Sequence, residues 1–138
     1  MIVVSKCLIG ENCKYDGTNN FCPEVMEFLK DKDYVSVCPE MLGGLGCPRK
    51  PAEIKGDKVI NSENKDVTEN FVSGAEKALE IALKNKATLA ILKESSPSCG
   101  GKTIYSGNFD GKKIKGTGIT AKLFKEKGIK VISEKDVM

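Results

Sequence analysis

Four short apolar runs along this chain have the pattern of strands buried in a sheet. The runs at residues 1–8, 34–39 and 88–92 contain consecutive aliphatic or β-branched residues and little charge, which is typical of strands covered on both faces. A fourth run, residues 129–132, predicts the last strand. A smaller apolar run at 58–60 predicts one extra short strand beside these four.

Three segments between these runs have apolar residues at helical spacing. Residues 23–32 and 120–127 predict short helices, and residues 66–85 predict the longest helix, with Asp66 as its N-cap. Residues 103–118 contain several glycines and predict an irregular excursion or a hairpin. Strands that alternate with helices in this way favour a parallel sheet with helical crossovers.

The order of these elements predicts the fold class. We expect an α/β protein with a single-domain, Rossmann-like three-layer fold, a mostly parallel sheet and about four main strands. A chain of 138 residues has the usual size of one domain, so we expect residues 1–138 to form a single unit.

Composition and charge exclude several classes of partner. The chain is 40% hydrophobic and 30% charged, and no apolar run approaches the roughly 20 residues that a membrane span needs. The apolar start is too short for a signal-peptide core, which predicts a cytoplasmic protein without a membrane partner. The net charge of +3 is spread along the chain, so no nucleic-acid polymer is expected as a partner. We expect a monomer or a weak dimer.

The most informative residues are six cysteines in a chain without histidine. In a reducing cytoplasm, cysteines more often bind metal or perform catalysis than form disulfides. Cys7 and Cys38 lie at the ends of two of the predicted strand runs, and Cys99 lies in the loop that follows a third. The carboxyl ends of parallel strands face one crevice, so these three thiols can converge there. Their convergence predicts a metal or iron–sulfur centre with a vacant coordination position.

Cysteine spacing alone does not identify the centre. There is no CxxC pair, which disfavours structural zinc, and the closely spaced cysteines of ferredoxins are absent. Cys22 precedes a predicted helix and is interpreted as a buried apolar side chain. Cys47 lies in a glycine-rich and proline-rich segment, residues 41–51, that predicts a loop. The sequence does not decide whether Cys47 contacts the centre.

Several ordered motifs in this chain resemble one known family. They are SKCLIG (5–10) with KYDG (14–17), VCPE (37–40) with GGL (43–45) and PR (48–49), and KESSPSCG (93–100). These blocks resemble the signatures of the 2-thiouracil desulfurase family, and they extend over nearly the whole chain.

The resemblance implies a cofactor and a reaction. It implies a [4Fe–4S] cluster held by Cys7, Cys38 and Cys99, with a fourth iron free of protein ligands. That iron would bind the sulfur of a small thiolated substrate, and the reaction would be a non-redox desulfuration of the 2-thiouracil to uracil type. The motifs do not decide between a free base, a nucleoside, a nucleotide and another thio-compound. Cys13 is close enough to Cys7 in sequence to be a fourth ligand, which would close the open position and leave the cluster structural or electron-transferring.

Two side chains near the predicted ligands are candidates for moving protons. Glu40 lies two residues after Cys38, where partial desolvation would favour its protonated form. Ser96 lies three residues before Cys99 and can orient water or the substrate, with Ser98 as its competitor. Asp16 and Glu94 are expected mainly to hold loops.

Two other functions remain open at this point. The first is a metal-free redox protein or sulfur carrier, in which Cys38 or Cys99 is a low-pKa thiolate that accepts a persulfide. The second is a small module whose glycine-rich loop binds an anion or nucleotide, although residues 41–49 have neither a GxGxxG nor a P-loop pattern.

Overall fold

The computed structural model describes residues 1–138 and contains eight strands and four α-helices. The strands are Ile2–Ser5 (β1), Tyr34–Val37 (β2), Ala52–Lys55 (β3), Lys58–Asn61 (β4), Leu89–Ile91 (β5), Thr103–Tyr105 (β6), Lys113–Lys115 (β7) and Lys130–Ile132 (β8). The helices are Pro23–Leu29 (α1), Pro39–Leu42 (α2), Thr68–Lys84 (α3) and Ile119–Glu126 (α4). None of the helices has both the length and the apolar character needed to span a membrane.

The main sheet has four parallel strands in the spatial order β2-β1-β5-β8. Strand β1 pairs on one side with β2, where Val3 lies opposite Val35, and on the other with β5, where Val3 lies opposite Ala90. The predicted α/β class, the parallel sheet and the four main strands are confirmed.

The sheet is covered on both faces, as the uncharged strands predicted. On one face Val3 packs with α3 and α4, in a core that includes Ala78 and Phe124. On the other face Val4 packs with Val25 of α1. Alternate side chains of one strand thus enter different cores, because successive residues of a strand point to opposite faces.

Two antiparallel hairpins stand apart from the main sheet. Strands β3 and β4 form the first, so the predicted extra strand at 58–60 has a partner that the sequence did not indicate. Strands β6 and β7 form the second, within the predicted excursion at 103–118. Residues Gly107 and Phe109 at the turn of the second hairpin donate backbone hydrogen bonds to Glu53 of β3, which joins the two hairpins.

Two local expectations were wrong. A helix, α2, begins at Pro39, and Cys38 is its N-cap, so the chain after β2 turns at once into a helix and only then enters the predicted loop. Asp66 is not the N-cap of α3. The helix begins at Thr68, one residue later than expected, and Val67 is in the cap position. The Asp66 carboxylate still accepts a hydrogen bond of 2.9 Å from the Thr68 amide.

Two glycines allow α2 and α3 to touch backbone to backbone. A Cβ atom at Gly74 of α3 would overlap the carbonyl oxygen of Pro39, and one at Gly43 would overlap the carbonyl oxygen of Asn70. The Asn70 amide group also donates a 2.9 Å hydrogen bond to the Gly43 carbonyl. This close contact fixes the position of α2, which follows Cys38 directly.

We therefore expect Gly74→Ala to destabilise the protein. In an isolated helix alanine is favoured over glycine by about 1 kcal/mol. Here the new methyl group has to displace α2, and overpacking of this kind costs roughly 1 to 3 kcal/mol, which outweighs the gain. Denaturant unfolding of Gly74→Ala beside Glu76→Ala, an exposed control in the same helix, measures the difference. A Gly74→Ala protein more stable than wild type would show that α2 does not constrain this site.

Candidate active site

A cavity of about 680 Å³ opens at the carboxyl ends of β1, β2 and β5. The side chains that the sequence singled out all line it: Cys7, Cys38, Glu40, Ser96 and Cys99. The structure thus brings together residues from three separate loops, at the edge of the sheet where ligands of α/β folds bind.

Cys7 lies in a turn of 3-10 helix, Lys6–Ile9, that follows β1 directly. The turn ends at Gly10, whose φ of 97° is a left-handed conformation that suits glycine. The Cys7 carbonyl accepts a 3.0 Å hydrogen bond from the Asn20 amide, which ties the turn to the segment before α1. The Cys7 side chain is left half-buried at the cavity.

Cys99 is held by the first strand. It lies in the loop after β5, and its thiol is buried. The Ser5 hydroxyl, at the end of β1, donates a 3.5 Å hydrogen bond to the Cys99 sulfur and accepts a 3.0 Å hydrogen bond from the Lys93 amide. Burial, ahead of other effects, raises the pKa of Cys99 to about 12. Ser5 therefore fixes the third loop against the strand that leads to Cys7.

Cys13 lies beside Cys7 and Cys38. Its thiol hydrogen bonds with both, and these bonds raise the pKa of Cys13 well above its ordinary value. The same contacts lower the pKa of Cys7, and they lower the pKa of Cys38 to about 7. The Cys38 sulfur also lies 3.8 Å from the carbonyl oxygen of Cys13. Cys13 thus contacts both thiols, and these contacts favour ionisation of Cys7 and Cys38 over that of Cys13 itself.

These pKa values predict the order in which the thiols react in reduced, metal-free protein. We expect iodoacetamide to modify Cys38 at least about 100-fold faster than Cys99 at neutral pH, because only the thiolate is nucleophilic. The rate at Cys38 should rise with pH to a half-maximum near pH 7, as measured by mass spectrometry of the alkylated peptides. In Cys13→Ala that midpoint should move to higher pH, because the hydrogen bond that lowers the pKa of Cys38 is lost. Equal rates at Cys38 and Cys99 would contradict this assignment.

Glu40 is paired with Arg49 at the cavity. The Arg49 Nε donates a 3.0 Å hydrogen bond to the Glu40 Oε2, and its Nη2 makes an ion pair with the same oxygen. The side chains retain only 16% exposure for Glu40 and 8% for Arg49. The carboxylate is thus partly desolvated, as expected from the sequence, and it is paired with a cation to which the sequence analysis gave no role. The Oε1 atom of Glu40 receives no hydrogen bond from the chain.

The two candidate serines differ in their hydrogen bonds. The Ser96 oxygen accepts 3.0 Å hydrogen bonds from the amides of Ser98 and Cys99. Its lone pairs are therefore engaged, and its proton is free to be donated. The Ser98 hydroxyl is buried and lies 2.7 Å from that of Thr120. Ser96 is thus the hydroxyl available to a bound molecule.

The loop that carries Ser96 is fixed by Glu94, as its sequence position suggested. The buried Glu94 carboxylate accepts hydrogen bonds from the amides of Ser95, Lys102 and Thr103. Burial opposes ionisation, but these bonds hold the pKa of Glu94 below its ordinary value. Asp16 has a similar local role at the surface, where it accepts hydrogen bonds from the Thr18 amide and hydroxyl.

The two remaining cysteines lie outside the cavity wall. Cys22 is buried with the α1 core, in agreement with its interpretation as an apolar side chain. The Cys47 sulfur lies 3.3 Å from the carbonyl oxygen of Asn12 and 3.2 Å from that of Lys14, so it packs behind the segment that carries Cys13.

The donor set fits an iron–sulfur cluster better than a single metal ion. No three cysteine or carboxylate side chains converge closely enough to hold one ion. Four thiols, those of Cys7, Cys13, Cys38 and Cys99, instead line one cavity, and none of the six cysteines is in a disulfide. Thiolates are the ligands that iron–sulfur clusters use.

Comparison with known proteins identifies the family. The family model described as 2-thiouracil desulfurase matches residues 2–136. The chain belongs to the 2-thiouracil desulfurase family. A relative in Bacillus subtilis (strain 168), the uncharacterized protein YbbK, is 44% identical over 147 residues, which cover 99% of this chain and 97% of that protein. The resemblance inferred from the sequence motifs is confirmed.

A solved structure resembles the whole of this desulfurase family member. It is the [4Fe-4S]-dependent thiouracil desulfidase TudS, which is 39% identical and superposes with a TM-score of 0.91. The match covers 99% of this chain and 91% of that one. The fold of this desulfurase family member is thus that of an iron–sulfur enzyme.

Two residues of the site were not assigned a role from the sequence. Ser5 gave no signal, because its contact with Cys99 spans 94 positions along the chain. Arg49 did carry a signal, since it is the one arginine among 22 basic residues. An arginine retained in a chain that otherwise uses lysine indicates a need for its planar group.

Proposed function

We propose that this chain is a [4Fe–4S]-dependent desulfurase that converts a small thiolated compound of the 2-thiouracil type into its oxo counterpart. The observation that carries the proposal is the cavity at which Cys7, Cys38, Cys99, Glu40 and Ser96 meet. The reaction balances as C=S plus water giving C=O plus hydrogen sulfide. No electrons are exchanged, so no reductant or oxidant is consumed.

Cys7, Cys38 and Cys99 would hold the cluster in this proposal. All three line the cavity, and binding to iron would release the proton of each thiol, because a metal ligand has to be a thiolate. Cys13 also lines the cavity but is not assigned as a ligand, because the motifs that resemble the family imply only Cys7, Cys38 and Cys99. With three protein ligands, one iron has no protein ligand. When bound, the cluster supplies a Lewis acid with affinity for soft sulfur, which polarises a C=S bond.

Glu40 would act as the general base. Arg49 contacts Oε2, while Oε1 is left without a protein donor. An ionised oxygen at the cavity can hold a water molecule and accept its proton as the water attacks the thiocarbonyl carbon.

Ser96 would orient the substrate. Because two backbone amides donate to its oxygen, its hydroxyl hydrogen is directed toward another acceptor. A heteroatom of the thio-compound is such an acceptor, and a fixed donor there costs no reorganisation during the reaction.

The remaining parts of the proposal concern the setting of the enzyme. We infer that residues 1–138 form a single desulfurase domain, supported by a family match over residues 2–136. A reducing cytoplasm suits six free thiols and a cluster with an exposed iron. Two predictions stay untested: that the protein acts without a nucleic-acid polymer, and that it is a monomer or a weak dimer.

Anaerobic reconstitution with iron and sulfide tests the function. The holoprotein should show visible charge-transfer absorption and convert 2-thiouracil to uracil with release of one sulfide per uracil. In isotopically labelled water the label should appear in the new carbonyl oxygen, because water is the oxygen source. Reconstituted protein that binds 2-thiouracil without releasing sulfide would contradict the proposal.

One observation favours a second candidate function. Cys38 is the N-cap of α2 and has a pKa of about 7, which suits a metal-free thiolate that carries a persulfide. Sulfur transfer by protein freed of iron with a chelator would support this function. Activity that requires the reconstituted cluster would exclude it.

A further inference from the structure

Arg49 has an unusual place in the composition of this chain. The sequence contains 22 lysine and arginine residues, and Arg49 is the one arginine. Lysine serves wherever a solvated positive charge suffices. A single exception, positioned at the cavity, points to a task that depends on the shape of the guanidinium group.

All five N–H donors of the Arg49 guanidinium have partners within the chain. The Nε–H group and one N–H of Nη2 donate to the Glu40 carboxylate. The other N–H of Nη2 donates a 2.9 Å hydrogen bond to the Cys13 carbonyl. Nη1 donates to the Gly46 carbonyl at 2.9 Å and lies 3.6 Å from the Met41 sulfur. Since a guanidinium has five donors and no acceptor, none remains for a substrate.

These partners come from two parts of the site, which the Arg49 backbone amide also joins by a 2.7 Å hydrogen bond to the Tyr15 carbonyl. Glu40 and Met41 belong to α2, whereas Cys13 belongs to the segment after β1. The carbonyl oxygen of Cys13 also lies 3.8 Å from the Cys38 sulfur. The hydrogen bond from Arg49 to this carbonyl therefore also helps to place the Cys13 backbone beside Cys38. One buried planar group thus determines where the carboxylate and the Cys13 segment lie relative to each other.

We propose that Arg49 is a positioning residue that locks the Glu40 carboxylate and the Cys13 segment into one rigid unit at the cavity. This inference rests on the proposed function for the part that concerns Glu40, and on the structure alone for the part that concerns Cys13. Arg49 does not touch the reacting atoms, because its donors are all engaged. It acts on the rate through Glu40.

Lysine at this position would retain the charge and lose the geometry. Its ammonium group has three donors on one atom, so it cannot reach Glu40 and the Gly46 and Cys13 carbonyls together. Arg49→Lys should therefore lower kcat by about 100-fold, the effect expected when a reacting group is misplaced by about 1 Å. The KM should change little, because no donor of Arg49 is available to the substrate.

The matched control is Lys77→Met. The exposed Lys77 donates a 3.3 Å hydrogen bond to the Leu42 carbonyl at the other end of α2 and does not contact Glu40. Its loss should leave kcat unchanged. A control that falls as far as Arg49→Lys would overturn the proposal, because any cation that contacts α2 would then have the same effect.

A double-mutant cycle separates positioning from general loss of structure. In reconstituted protein, Glu40→Gln/Arg49→Lys should have nearly the same kcat as Glu40→Gln alone, because Arg49 acts through Glu40. Multiplicative losses in the double variant would overturn the proposal. In Arg49→Ala, millimolar guanidinium chloride should restore part of kcat, whereas sodium chloride at the same ionic strength should not. Failure of guanidinium to restore kcat would count equally against the proposal.

Thiol labelling of metal-free protein tests the second half of the proposal without using activity. Cys13 and Cys22 are each 7% exposed, so Cys22 is an internal reference. Arg49→Lys should increase the labelling rate of Cys13 about tenfold and leave that of Cys22 unchanged. Equal changes at both thiols would indicate global loosening and would overturn the proposal.

Failure of the proposed function would give a different pattern. If Glu40 has no part in the reaction, Glu40→Gln retains wild-type kcat while Cys13 is still labelled faster in Arg49→Lys. If Arg49 is not a positioning residue, Glu40→Gln is impaired while Arg49→Lys behaves as wild type in both assays.

Discussion

Serine in place of Cys7, Cys38 or Cys99 is expected to abolish both iron binding and desulfuration. Each variant removes one of the three cavity thiols assigned to the cluster, and a hydroxyl is a poor ligand for iron in a cluster. Loss of an outer partner of a metal ligand alone costs about 10- to 100-fold, so loss of a ligand should exceed about 100-fold in kcat. Iron and sulfide content after anaerobic reconstitution, together with visible absorption, provide the measurement.

Two other cysteines serve as controls for this series. Cys22→Ala removes a buried thiol from the α1 core and should keep full iron content with a modest loss of stability. Cys13→Ala decides whether the open position exists. Retained iron would agree with three protein ligands, whereas a loss equal to that of Cys38→Ser would make Cys13 the fourth ligand and leave no iron free for substrate. Full iron content in all three serine variants would refute the ligand assignment.

The main sheet could be predicted from the sequence because each strand has its own apolar run. Residues 34–37 and 89–91 fell within predicted strands, helices α1 and α3 fell within segments of helical periodicity, and α4 overlaps a third such segment. The hydrophobic pattern decides these elements locally, since a strand covered on both faces requires an uncharged run.

The elements that were missed depend on contacts distant in sequence. Helix α2 has only four residues, and the glycines after it favoured a loop, so its helical pattern was not visible. Its position is fixed by the contact of Gly43 with α3, which no local pattern encodes. Strand β3 was missed because the alternation in residues 52–55 includes Glu53, whose carboxylate is buried against the turn of the β6–β7 hairpin.

The loops that form the site could be predicted from the sequence, but the hydrogen bonds between their side chains could not. Strand order and parallel direction bring the loops after β1, β2 and β5 to one edge, which is why the three cysteines could be grouped in advance. The hydrogen bonds that tune them could not be deduced. No sequence spacing identifies the hydrogen bond between Ser5 and Cys99 or the hydrogen bonds between Arg49 and Glu40.

Glu40→Gln is expected to lower kcat by about 100- to 1000-fold without changing the iron content. The amide keeps the shape of the side chain but cannot accept a proton, and general-base catalysis contributes about 10²- to 10⁴-fold. Glu40 is not among the three thiols that would hold the cluster, so absorption after reconstitution should match wild type. Steady-state kinetics on the reconstituted variant, normalised to bound iron, measure the effect.

The loss of a partly buried ion pair complicates this variant, so its control has to break a similar pair. Glu134 pairs with Lys93 at 3.1 Å and retains 11% exposure, against 16% for Glu40. Glu134→Gln should therefore also lose stability, but less, because its partner Lys93 keeps 28% exposure against 8% for Arg49. Its kcat should stay within a few-fold of wild type, since Glu134 is not part of the cavity wall. If the two glutamine variants lose kcat equally, the effect of Glu40 is one of stability, and the proton must be accepted elsewhere at the cavity.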